Sequence, residues 1–438
     1  MNAVIIAIAV MLILSLLRIN VVLSLVLGAF AGGLTSGMGI TNTVETFTQG
    51  LGAGATIALS YGLLGGFAIA ISKTGIPELM IASILKLLNN NGENNRRGLV
   101  KVLIFLLIFA MSVFSQNLIP IHIAFIPLLI PPILKILNML EVDRRIIATI
   151  IAVGLVGTYS FVPAGFGSIF QEIVATQVTK AGMNVSVSDV PTAMAIPVLG
   201  MLIGLVVALF FYRKPRHYEA ADVETSSIEV KVSKRVIIST IFALIASLYT
   251  QITTDSMIVG AFAGITVMYV TGALKWREAD EVLTDGMRMM SFIGFVMIAA
   301  NGFASVINAT GDIDSLITSS LSVLEGNASL AVFAMLIIGL IVTMGIGSSF
   351  ATIPIIATLF VPLSVELGLS PLAIMCLIGT AGALGDAGSP ASDTTLGPTA
   401  GLNVDGQHNH IWDTCVPTFI FVNIPLIIFG WVACVFFL

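Results

Sequence analysis

The chain has 438 residues, 57% of them hydrophobic and only 10% charged, with a formal net charge of −5. Soluble domains carry roughly 25% charged residues, so this composition excludes a globular soluble protein. The balance of charge gives no reason to expect a nucleic-acid partner, and the partner it does imply is membrane lipid.

Uncharged runs long enough to span a bilayer, which takes about 20 residues, recur along the chain: 19–44, 47–72, 190–212, 256–274, 289–311 and 414–438. The first segment, Met1 to Leu17, has no Lys or Arg and so lacks the basic start of a cleavable leader; it is expected to stay as a helix. Cys376, Cys415 and Cys434 show no paired spacing and are read as packing residues.

Lys and Arg gather at 73–101, 135–145, 213–235 and 275–288, while the intervening loops are nearly free of them. By the positive-inside bias the basic loops face the cytoplasm. The protein is thus expected in the cytoplasmic (inner) membrane, crossing it many times, with both termini outside.

Two words recur. Gly-Ala-Phe-Ala-Gly stands at Gly28 to Gly32 and again at Gly260 to Gly264, and Glu45, Thr48 and Gly50 correspond to Glu281, Thr284 and Gly286. Thr74-Gly75 likewise matches Thr310-Gly311. The economical reading is an internal duplication: residues 1–212, a cytoplasmic linker 213–235, and residues 236–438.

Lys101 and Lys135 flank an apolar stretch whose middle is Ser115, Gln116 and Asn117, followed by Pro120 and His122. Both lysines want the cytoplasmic side, and each arm of about 12 to 13 residues rises only ~20 Å, short of a ~30 Å core. A re-entrant hairpin follows. Residues 326–365 have the same shape around Gly345, Gly347, Ser348 and Ser349, with Thr352 and Pro354 just beyond, but no basic flank, so this hairpin should enter from outside. The expected fold is all-α: two inverted repeats, each of five crossings plus one hairpin, the usual basis of alternating access.

After each hairpin comes a helix that Gly and Pro must interrupt. The first break, Gly157 to Ser168, carries Thr158, Ser160 and Pro163; the second, Gly379 to Pro390, leads into Gly385-Asp-Ala-Gly-Ser-Pro-Ala-Ser-Asp-Thr-Thr395. Broken backbone at membrane depth is tolerated against protein or a wet cavity, and its carbonyls can replace the hydration shell of Na⁺.

Asp386 and Asp393, with Ser389, Ser392, Thr394 and Thr395, supply hard oxygen ligands in eleven residues. A carboxylate at that depth costs ~2.5 to 3.5 kcal/mol and is by default functional. Asp386 is the first candidate cation or proton carrier and Asp393 the second, with an N-cap as the alternative role of Asp393. His122 is a candidate relay or substrate contact. His408 and His410, in Asp405 to Asp413, are read as a surface turn rather than a metal motif. Na⁺ is the coupling ion, and no cofactor or resident metal is expected. Neither a nucleotide-binding motif nor an intramembrane-protease motif is present, which argues against an ATP-driven pump or an enzyme.

The Gly385 to Thr395 motif resembles the signature of the NhaC-type sodium/proton antiporters, within the ion transporter superfamily that also holds sodium-coupled dianion symporters. The resemblance implies inverted repeats, hairpin tips and unwound helices around one site, in a homodimer. In the symporter branch the tips read Ser-Asn-Thr; here Ser115 and Ser349 match the serine, while Asn117 and Thr352 match loosely, which argues against a dicarboxylate substrate. The closing Asp-Gly-Gln-His-Asn-His-Ile-Trp-Asp-Thr segment resembles a YuiF-like subgroup connected with amino acids. Na⁺/H⁺ antiport is therefore the leading expectation, and Na⁺- or H⁺-coupled amino-acid uptake the alternative.

Overall fold

A computed structural model describes residues 2–17, 19–76, 79, 94–117, 122–164, 166–180, 183–219, 232–254, 256–313, 315 and 327–438, and these residues form helices without any strand. Asn2 and Asn20 cap the first two helices, α1 (Ala3–Leu16) and α2 (Val21–Thr35), by accepting from backbone N–H groups of the first turn. A long helix, α3 (Gly39–Ser72), follows. Then come α4 (Asn94–Asn117), α5 (His122–Met139), α6 (Arg144–Phe161), α7 (Phe166–Lys180) and α8 (Val190–Phe211).

The second half runs through α9 (Lys234–Thr254), α10 (Met257–Val270), α11 (Ala279–Ala309), α12 (Ala328–Ile346) and α13 (Ser349–Glu366). It closes with α14 (Pro371–Ala383), α15 (Asp393–Leu402) and a C-terminal helix, α16 (His410–Phe437). Within α16 the stretches His410–Cys415, Phe419–Asn423 and Ala433–Phe437 are π-helical. Among the described residues seven helices are long and apolar enough to cross a membrane, or eight when the two pieces of α13, bent by 48°, count as one span.

Burial separates a centre from a rim. Every residue of α14 from Ala373 to Ala383 is buried, as is α6 from Ile146 to Ser160. By contrast α9 and α10 expose Ile238, Phe242, Ile245, Tyr249 and Phe262, apolar surface suited to lipid. The two broken helices are therefore held in the middle of the bundle by packing on every side.

The long helices α3 and α11 pack along one another in antiparallel fashion, and small residues set the approach. Gly302 faces the Phe47 ring and Gly66 faces Leu283; Gly50 lies against the Asn301 carbonyl and Gly286 against the backbone of Gly65 and Gly66. A methyl group on any of these would collide. Each contact has a counterpart with 236 added to one residue number and subtracted from the other. The same offset pairs Gly28 on Phe303 with Gly264 on Phe67. It also aligns the starts of α2 and α10, Val21 and Met257. The Gly-Ala-Phe-Ala-Gly words are thus displaced by one helical turn: Gly264, the last glycine of the second word, takes the place of Gly28, the first of the first. Glycines four residues apart share a helix face, so the words recur out of step.

The first hairpin's arms are longer than expected. α4 has 24 residues and α5 has 18, because both helices continue past Lys101 and Lys135, whose long stems allow a charge to leave the apolar surface. Pro120 lies outside the described residues, as does most of the linker, 220–231. The second hairpin turns where expected, with Gly347 at φ +74° and Ser348 extended.

Candidate functional site

The second break is built by two glycines. α14 ends at Ala383, and Gly385 (φ +85°) and Gly388 (φ +87°) take left-handed conformations that a Cβ would oppose, leaving Asp386 and Ala387 between them. Backbone groups freed by such a break need partners in a dry interior. Asn423, fully buried in a π turn of α16, provides them: its Nδ2 donates to the Ala387 carbonyl at 2.5 Å and its Oδ1 accepts from the Gly385 N–H at 3.3 Å. The chain on either side of Asp386 is thereby fixed.

The Asp386 carboxylate is 7% exposed and accepts hydrogen bonds on both oxygens, from Ser392 Oγ at 2.6 Å and from Tyr159 Oη at 2.8 Å. Tyr159 Oη also lies 2.8 Å from Ser349 Oγ. One phenol from α6 thus joins the tip of the second hairpin to the acid of the second break. The rings of Phe170 and Phe350, with centroids 5.0 and 5.7 Å from that of Tyr159, cover this side with apolar surface.

Asp393 is the first residue of α15, and the N-cap is Ser392, whose side chain accepts from the Thr394 N–H at 3.2 Å. The capping role considered for Asp393 therefore belongs to its neighbour. Its Oδ1 is buried without a hydrogen-bond partner, and the charge of Asp386 acts on it. Across the site the Tyr61 hydroxyl of α3 is likewise buried and unpartnered, within electrostatic reach of Asp393. No basic side chain acts on either carboxylate among the described residues.

Of the other predicted residues, Thr394 reaches Asp386. Ser389 donates to the Met344 carbonyl at 3.2 Å, and Thr395 donates to the Ser389 carbonyl at 2.5 Å; both brace the break. Thr352 bonds back to the Ser348 carbonyl at 2.9 Å, and Pro354 lies inside α13. In the first break Thr158 donates to the Gly154 carbonyl and Ser160 to that of Val156 at 2.7 Å, while Pro163 stands in the extended link between α6 and α7. Ser115 donates to the Ser112 carbonyl at 2.9 Å. Gln116, Asn117 and His122 are described in backbone only.

Two contributors, Tyr159 and Asn423, escaped the sequence reading. The available signal was the same for both, a hydrogen-bonding group inside an apolar span, which needs a partner.

The opposite end of α15 is clamped by charge. Arg144, the first residue of α6 and fully buried, holds Asp405 through two nitrogens at 2.6 and 2.5 Å and donates to the Leu402 carbonyl at 2.8 Å. Burial pushes the Asp405 carboxyl up, and the Arg144 hydrogen bond and charge more than offset it, so its pKa lies below the ordinary value. The linker joins this clamp: Arg216 pairs with Asp413 at 2.8 Å, and the Tyr218 ring centroid lies 4.0 Å from the Arg144 guanidinium. The segment Asp405 to Asp413 is not the surface turn its polarity implied, because His408 and His410 are buried.

Apolar spans around a buried carboxylate pair, with the family matches that follow, mark an ion-coupled, multi-pass membrane transporter. The chain belongs to the Na⁺/H⁺ antiporter family: one family model, the Na⁺/H⁺ antiporter family, matches residues 150–431, and a second, the Na⁺-H⁺ antiporter family, matches residues 2–88. It groups there with YuiF-like membrane proteins. The putative amino acid transporter YuiF of Bacillus subtilis is 53% identical, over 99% of both chains. The uncharacterized membrane protein VP2115 of Vibrio parahaemolyticus is 50% identical over 99% of both. The Na⁺/H⁺ antiporter NhaC of Alkalihalophilus pseudofirmus is 25% identical over 35% of this chain and 34% of its own.

Proposed function

We propose that the protein exchanges Na⁺ for H⁺ across the cytoplasmic membrane by alternating access, with Asp386 as the group for which the two cations compete. The observation that carries this reading is the carboxylate pair itself. Asp386 is held by hydroxyls, and among the described residues Asp393 keeps an oxygen without a partner and neither carboxylate has a basic neighbour. Burying charge without compensation costs several kcal/mol per ion, and either a proton or a dehydrated Na⁺ supplies that compensation. The hydroxyls of Ser392, Thr394, Ser349 and Tyr159 are hard oxygen donors suited to Na⁺.

Alternating access is supported by the contacts related through 236. A symmetry that exchanges two antiparallel helices has its axis perpendicular to them, so if α3 and α11 cross the bilayer the axis lies in its plane. Halves related in this way are inverted repeats. The reading includes five crossings and one re-entrant hairpin per half, halves at 1–212 and 236–438, both termini outside and a homodimer.

A second reading, Na⁺- or H⁺-coupled uptake of a small amino acid through the same site, is favoured by the name of the 53% identical YuiF relative. The test is a liposome assay with an internal pH dye, a Na⁺ pulse, and Asp386→Asn beside wild type. A Na⁺-driven pH change in wild type that falls roughly a hundredfold, equivalent to about 2.7 kcal/mol, in the variant is the expected result. A folded wild type that ignores Na⁺ but moves protons with amino acids moves the assignment to symport.

A further inference from the structure

Two buried oxygens have no hydrogen-bond partner among the described residues: Oδ1 of Asp393, at the first turn of α15, and the hydroxyl of Tyr61, in α3. Tyr61 is fully buried, and it belongs to the apolar core that also takes in Ala391 and Leu396, which flank Asp393 in the chain. The hydroxyl and the carboxylate lie within electrostatic reach of one another and yet do not bond. Buried polar atoms are nearly always paired, so two oxygens left open together call for a species that both can hold.

The neighbouring carboxylate is differently placed. Both oxygens of Asp386 already accept hydroxyl hydrogens, from Ser392 and Tyr159. A cation drawn to the pair therefore finds its open carboxylate oxygen on Asp393, and the charge of Asp386, which acts on Asp393, adds to the attraction. A phenol oxygen accepts as well as donates, so Tyr61 can offer a neutral, hard oxygen to the same ion. Carboxylate and neutral oxygens are the donors that small hard cations prefer.

We propose that Tyr61 Oη and Asp393 Oδ1 form two sides of a Na⁺ seat, with Tyr61 as a ligand that α3 contributes from outside the broken helices. The seat rests on the reading that the carboxylate pair binds Na⁺, in exchange or in symport alike, and it names the oxygens that hold the ion. The remaining ligands come from backbone carbonyls freed by the break and from water. Na⁺ in the seat and a proton on Asp393 Oδ1 exclude one another, because both need the same open oxygen. Since α3 packs closely on α11 through glycine contacts, an ion in the seat ties that pair of helices to α15.

Na⁺ binding is read without transport, from the rise in melting temperature of the purified protein as NaCl replaces choline chloride at constant ionic strength, because an ion that binds only the folded state stabilises it. Tyr61→Phe removes the hydroxyl and keeps the ring. With one oxygen fewer on the ion, the Na⁺ concentration that gives a set rise should increase roughly tenfold or more, while the melting temperature in choline is no lower than that of wild type. Asp393→Asn should shift the response at least as far, and adding Tyr61→Phe to it should cost little more, since both oxygens serve one ion. An unmoved Na⁺ response in Tyr61→Phe overturns the seat, whatever the melting temperature in choline, and so do losses that multiply in the double variant. A wild type whose melting temperature ignores Na⁺ overturns Na⁺ coupling in both readings of function, and the seat with it.

Discussion

The two broken helices sit side by side in the core and do different work. Between α6 and α7 the chain opens at Val162 and Pro163, yet Ser160 returns its hydroxyl to its own helix, and the group offered across the bundle is the Tyr159 phenol. Between α14 and α15 the chain opens around two left-handed glycines and presents carboxylates. The two breaks thus divide into a neutral donor and an acid. On the proposed exchange, a carboxylate taking proton and cation in turn needs donors that stay put, and a phenol fixed in an all-round buried helix meets that need.

The strongest way to break the pairing is at its far end, where Arg144 at the start of α6 holds Asp405 beyond α15. Removing one partner of a buried ion pair typically costs 3–5 kcal/mol, so Asp405→Asn should lower the melting temperature more than any substitution within the breaks. The Asp405 carboxyl is depressed in the fold, so its stabilisation is present above the ordinary carboxylate pKa of about 3.9 and is lost as pH falls through the lower folded value. Thermal scans of wild type should therefore lose stability over that acid range, and Asp405→Asn should lack that component.

Asn423→Ala strips two backbone groups flanking Asp386 of their partners. At about 1–3 kcal/mol for each buried unsatisfied group, the apparent Na⁺ affinity should fall at least tenfold, in a protein that still elutes as a single species. Retained affinity would mean that the glycines alone hold the break. Tyr159→Phe deletes a hydrogen bond to a charged group, about 1.5–3 kcal/mol. Half-saturation by Na⁺ should rise roughly tenfold or more, with a shifted pH profile of transport. Ser160→Ala is the sharpening control: among the described residues its hydroxyl bonds only back to Val156, so stability should fall by no more than about 1.5 kcal/mol, with Na⁺ half-saturation and the pH profile of transport unchanged.

Much of this arrangement could be read from the chain. Gly385, Gly388 and Pro390 announce a break because their backbone preferences oppose a continuous helix, and Asp386 announces itself as a charge where charge is costly. Tyr159 does not, since a tyrosine in an apolar helix more often packs than points at an acid 227 residues away. Asn423 was absorbed into an apolar run, and π turns leave no periodic trace that would turn it toward the break. The histidines misled in the opposite direction. Their polarity reads as surface, but hydroxyls from Thr399 and Thr414 and the Pro390 carbonyl satisfy them inside. Partners distant in sequence decide burial, and residue type alone cannot report them.

The π turns in α16 give that helix a register that is counted rather than merely coiled. A π turn carries a residue beyond what an α-helix needs, and each residue advances the helix by about 100°. Deleting a single residue from His410–Cys415 would let that turn relax to an α-helix and leave Asn423 on the face it now presents, whereas deleting one from the α-helical Val416–Thr418 would swing everything downstream away from it. The last helix is therefore spelled by number as well as by composition. A one-residue deletion within the π turn should leave Asp386 undisturbed, while the same deletion in Val416–Thr418 should carry the Asn423 amide away from the break.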